Sequence, residues 1–219
     1  MTLRKSARLL VVIGLLFGTM VATAATGVAR TDPERPAVRL KAAEFSPEGA
    51  STAQAAVNAR GRGYYIVQYG GPIFQGQADA LRAAGAEIMA YVPDFAYKVR
   101  MRPSTVGAVS GLDGVTWVGA FEADYKLSPD LAADGLYWVR TERGVDRAAV
   151  ASAIEAAGAR IVSGTGDVLA IEADRAILDD VAAIADVAWV QNLVWREKHN
   201  EYGAGVIVGA NTANASGYD

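Results

Sequence analysis

The sequence has no cysteine and a single histidine, His199. That excludes a disulfide framework, thiol catalysis and a zinc site built on Cys/His clusters. Charge is also sparse: 21% of the 219 residues are charged and the net charge is -3, so the basic stripe needed to displace nucleic-acid counterions is missing. The one long apolar run, Leu9 to Ala22, is too short to cross a bilayer. What is abundant is apolar side chain, at 52%, too much for a disordered chain.

Arg4, Lys5 and Arg8 precede that run, and Ala22-Thr23-Ala24 follows it with the small residues a signal peptidase accepts. Residues 1–24 therefore read as a secretory signal, and the expected location is extracellular, with no membrane attachment once the signal is removed. Its loss leaves 18 basic against 24 acidic residues, a formal charge of -6. Residues 25–62 read as a flexible linker, because Thr31-Asp32-Pro33-Glu34-Arg35-Pro36 and Ser46-Pro47-Glu48-Gly49 are turn chemistry. Val38-Arg39-Leu40 leaves room for a short edge strand.

The remainder is one pattern written twice. Gly63-Tyr64-Tyr65-Ile66-Val67 matches Gly135-Leu136-Tyr137-Trp138-Val139, and Gly114-Val115-Thr116-Trp117-Val118 matches Asp186-Val187-Ala188-Trp189-Val190, each 72 residues on. Leu81–Ile88 matches Ile154–Ile161 at 73. Two copies at this spacing suit a duplicated small domain rather than a solenoid. Each copy reads strand, helix, strand, strand, helix, strand. In the first, Tyr64–Tyr69 is a strand and Phe74, Ala78 and Leu81 recur at helical spacing up to Gly85. Phe95, Tyr97, Val99 and Met101 alternate with Ala96, Lys98 and Arg100, as on a half-buried strand. In the second, Asp146 and Asp174 stand where helix N-caps belong, and Gly164-Thr165-Gly166-Asp167 forms a hairpin turn.

With right-handed crossovers, this order predicts an α+β fold of two tandem ferredoxin-like βαββαβ sandwiches, each a four-stranded antiparallel sheet with two helices on one face. The expected domains span 63–130 and 135–196, with an extended tail over 197–219. Tyr64, Ile66, Leu136 and Trp138 then point to one face, and Tyr65, Val67, Tyr137 and Val139 to the other. Both faces are apolar, so the face without helices needs a cover. Either the two units pack on each other or a partner sits there.

Tyr64-Tyr65-Ile66-Val67-Gln68-Tyr69, Leu81–Ile88, Val115-Thr116-Trp117-Val118 and Tyr125-Lys126-Leu127-Ser128-Pro129, in this order behind a signal sequence, resemble the N-terminal propeptide region of secreted subtilisin-like serine proteases. The similarity spans roughly residues 38–219. It implies an intramolecular chaperone and inhibitor that packs its open sheet on a subtilisin-like protease domain, in cis or in trans, and lays its C-terminal tail in the cleft. It places the protease-binding tail at Trp195, Glu197, Lys198, His199, Asn200, Glu201 and Tyr202, and likens Asn200–Asp219 to the start of a mature protease. The catalytic Asp, His and Ser elements would follow Asp219. The family carries one such unit and this chain carries two; only the second adjoins the tail. An extended tail adds to a cleft as a strand. An acidic residue leaving the sheet, Glu197 or its counterpart Asp124, suits the exposed N–H groups of a helix N-terminus.

No catalytic constellation is visible. His199, the sole imidazole base, lies in a polar tail, no Ser occupies a Gly-x-Ser-x-Gly elbow, and the Gly pairs lack the Lys-Ser/Thr of a phosphate loop. An acylphosphatase-like site would want an Arg in the loop Gly70–Phe74, which has none. No catalytic residue, metal or cofactor is expected in this chain. The alternative to the propeptide is a secreted, non-catalytic protein-interaction module with no protease client.

Overall fold

The computed structural model describes residues 36–47, 55–194 and 210–217. After a two-stranded hairpin, β1 (Val38–Arg39) and β2 (Glu44–Phe45), the chain forms β3 (Gly63–Tyr69), α1 (Gln75–Ala83), β4 (Glu87–Val92), β5 (Ala96–Met101), α2 (Val106–Ser110) and β6 (Val115–Ala120). A 3₁₀ turn, Ala123–Lys126, leads into β7 (Asp134–Thr141), α3 (Arg147–Ala156), β8 (Arg160–Thr165), β9 (Val168–Asp174), α4 (Arg175–Ala183) and β10 (Val187–Asn192). A short helix, α5 (Ala210–Ala215), lies near the end. The architecture is mixed α+β with two four-stranded antiparallel sheets, ordered β4-β5-β3-β6 and β8-β9-β7-β10.

Local chemistry accounts for the element ends. The Asp146 carboxylate accepts from the N–H groups of Ala148 and Ala149 and caps α3. Gly158, at φ 101, closes that helix in a conformation costly for any residue with a Cβ, as Gly85 at φ 93 does for α1. Asp174 occupies the N-cap of α4 but makes no capping bond; the first N–H of the helix, Arg175, instead reaches Ala133 O at 2.7 Å. Phe74 precedes α1 and is exposed, so only Ala78 and Leu81 of the expected stripe are buried.

The alternation of the strands sorts their side chains into layers. Tyr65, Val67 and Tyr69 of β3, with Val99 and Met101 of β5, pack against Leu81 and Val109 of the helices. Tyr137 and Val139 of β7, with Leu169 and Ile171 of β9, pack against Val150, Ile154, Leu178 and Val181.

One boundary differs from expectation. Residues 36–47 are not linker: Val38 is fully buried and joins Ile66, Val92 and Ala96 in a third apolar cluster. The two halves fall within one compact unit, for the reason given below.

Candidate partner-binding face

The two helix-free faces are built from equivalent positions and end in different states. On the first sheet that face carries Tyr64, Ile66 and Gln68 of β3, exposed by 2%, 0% and 2%. The β1–β2 hairpin lies over it, and the Phe45 ring stacks on Tyr125 at 5.4 Å and meets Trp117 edge-on at 5.8 Å. Arg39 fastens the hairpin through an ion pair of 2.6 Å with Asp94. Asp94 and Phe95, in the β4–β5 loop, hold positive φ values of 62 and 69, a strained turn that Arg39 helps to fix.

The rest of the cover comes from the second half. Lys98 and Arg100, expected on the half-solvated side of β5, are buried at its junction with that half. The Lys98 ammonium pairs with Glu142 and sits 3.7 Å from the centre of the Phe121 ring. Arg100 grips Glu87 with two nitrogens, at 2.8 and 3.0 Å, and donates to Arg143 O at 3.2 Å. The Asp186 carboxylate accepts from Tyr64 Oη and from Asn58 Nδ2, each at 2.9 Å. Lys126 Nζ donates to the carbonyls of Ile184 and Ala185, at 2.9 and 3.4 Å, where α4 ends.

Burial shapes the electrostatics of this junction. It pushes the Lys98 ammonium below its usual pKa, although Glu142 acts in the opposite direction. Burial, aided by the charge of Lys98, lowers Lys126 to about 8. The Tyr64 hydroxyl moves up, mainly through desolvation. The junction is a polar latch rather than a greasy contact.

On the second sheet the corresponding positions are Leu136, Trp138 and Arg140 of β7. Leu136 is 36% exposed, Trp138 half-buried and Arg140 exposed. With Trp189 and Gln191 of β10, Val168 of β9 and Lys41 of the hairpin turn, Trp138 and Arg140 line an open, largely apolar groove of about 520 Å³. Lys41 Nζ stands 4.0 Å above the Trp189 ring and donates to Gln191 Oε1 at 3.2 Å, an oxygen that also accepts from Trp189 Nε1 at 2.9 Å.

Residues 39–122 match the model of a family described as a domain of unknown function, DUF8729. The likeness runs from the hairpin to the end of the first sheet and stops before the second. No curated protein matches the chain, and no solved structure does.

Of the residues read from sequence as protease-binding, Asp124 lies exposed in the 3₁₀ turn after the first sheet. Trp195, Glu197, Lys198, His199, Asn200, Glu201 and Tyr202 lie outside the described residues, as do residues 1–24. No helix among the described residues is long and apolar enough to cross a membrane, and they hold no cluster of three or more His, Cys, Asp or Glu suited to a metal. Sequence reasoning missed Lys41, assigned to a linker, and the groove it helps to line. It had singled out Trp138 and Trp189, as repeat positions, without joining them.

Proposed function

We propose that the chain is the propeptide region of a secreted subtilisin-like protease, a folding aid and inhibitor with no catalysis of its own, and that its second sheet is the face offered to the protease. In this reading each half is a ferredoxin-like βαββαβ unit, and the two are tandem copies. The strand order supports it: in both sheets the second, third, first and fourth strands of the half lie side by side, with all neighbours antiparallel. The observation that carries the functional reading is the partly open helix-free face of the second sheet, where Leu136 is exposed and Trp138 half-buried although their counterparts Tyr64 and Ile66 in the first sheet are buried. Among the described residues the first sheet has its cover within the chain, which favours the second sheet as the client surface. That surface belongs to the half from which the expected tail departs.

The test is inhibition. The full chain at about micromolar concentration should slow peptide hydrolysis by subtilisin-like proteases and be cut slowly near Tyr202. Absence of inhibition across a panel of such enzymes, with the chain folded by circular dichroism, overturns the reading. The latch between the halves favours a second reading, a rigid secreted interaction module without a protease client. It predicts resistance of residues 63–194 to limited proteolysis and no effect on the proteases used.

A further inference from the structure

The groove on the second sheet is asymmetric in a way that specifies chemistry. Its floor is aromatic and aliphatic, from Trp138, Trp189 and Val168, whereas its rim carries two cations, Lys41 and Arg140. Among the described residues neither cation is in a salt bridge, although eight such bridges join other side chains. Asp130, a carboxylate whose charge reaches Lys41, already accepts from the Ser128 hydroxyl. Lys41 and Arg140 also oppose each other: desolvation first, then the charge of Arg140, draws the Lys41 pKa down. The chain as a whole is acidic, with a net charge of -3. Two cations without a carboxylate partner among the described residues, converging on an apolar groove, are therefore a local excess that an anion would relieve, and the groove's volume of about 520 Å³ exceeds what a lone small anion would fill.

The geometry points to an acidic–apolar peptide segment of a protein partner as the occupant of this groove, its apolar side chains on Trp138 and Trp189 and its carboxylates between Lys41 and Arg140. A carboxylate there meets two charge-assisted donors beside a low-dielectric aromatic floor, where such bonds gain most. The inference rests on the functional reading only in needing a protein partner at the second sheet. That partner need not be a protease.

The probe is acetyl-Glu-Leu-Glu-Leu-amide, added to the full ¹⁵N-labelled chain, with acetyl-Lys-Leu-Lys-Leu-amide and tetragalacturonate as counterparts. The acidic peptide should shift the indole N–H signals of Trp138 and Trp189 and leave Trp117 unmoved. Its affinity should fall about tenfold or more in the Lys41→Glu/Arg140→Glu variant, and should weaken with added salt. Both substituted residues are exposed, so the fold should survive, and the unchanged Trp117 signal reports that it does. Three results overturn the inference: no shift up to about 1 mM peptide, equal shifts from the lysine peptide, or tighter binding of tetragalacturonate. A concentration-dependent dimer that the double variant abolishes would also overturn it, by assigning the groove to a second copy of the chain. Peptide binding by a chain that inhibits no protease supports the groove and overturns only the protease reading.

Discussion

The two sheets share strand order and the alternation of apolar side chains, yet one helix-free face is sealed and the other carries an open groove. The difference lies in a few positions 72 residues apart. Where the first sheet has Lys98 and Arg100, the second has Ala170 and Glu172. The first pair reaches across to Glu142 and the Arg143 carbonyl of the other half, and so recruits a cover that the second sheet cannot recruit. The hairpin adds to the asymmetry, since it supplies Val38 and Phe45 to the first sheet and only Lys41 to the edge of the second groove. Two sheets of the same strand order thus end as one sealed face and one with an open groove, through side chains rather than topology.

The largest effect that would break this comparison is loss of the Lys98 partner. Glu142→Ala leaves an ammonium buried without its carboxylate and should cost about 3–5 kcal/mol in urea unfolding. The double variant Lys98→Met/Glu142→Leu should recover most of that, because neither charge is then buried. A loss below about 1 kcal/mol for Glu142→Ala would show that the hairpin, not the latch, holds the first face closed.

The next effect is on pH dependence. Folded Lys126 releases its proton near pH 8, whereas the unfolded chain keeps its lysines protonated up to their ordinary value of 10.5. Between those values the unfolded state binds more protons, so the stability contributed at this site rises with pH. The unfolding free energy of wild type relative to Lys126→Met should therefore rise by about 2 kcal/mol between about pH 7.5 and pH 9.5. A flat difference would mean that the ammonium is not desolvated at the junction.

The smallest effect belongs to the open sheet. Leu136→Thr should change stability by less than about 1 kcal/mol, whereas Ile66→Ala, on the sealed face, should cost about 2–5 kcal/mol. Equal losses at the two sites would show that the second face is covered as well.

Much of the strand layout was legible because period-two alternation is a local signal. The alternation puts Tyr65, Val67, Tyr137 and Val139 on one face, and all four pack against helices; which face bears the helices was not legible, because both are apolar. Asp146, Gly85 and Gly158 marked helix ends through caps and positive φ, which are equally local. The hairpin escaped because Val38–Phe45 is short and lies among turn residues; its burial depends on Ile66 and Val92, far along the chain. Lys98 and Arg100 misled for a related reason. A charged residue on an alternating strand reads as solvated, and only Glu142 and Glu87 make burial tolerable. Phe74 failed as a core residue because the helix begins after it. The groove was the least legible feature of all, since Lys41, Trp138 and Trp189 meet only through folding.

The hairpin has a practical consequence for anyone dissecting the molecule. A gene fragment begun at Gly63, the first residue of β3, would discard Val38, Leu40 and Phe45 and lay Ile66, Val92 and Ala96 bare to solvent. Such a piece would be sticky for a reason unrelated to any partner, and its self-association would mimic binding. Cloning that begins upstream of Ala37 avoids the artefact.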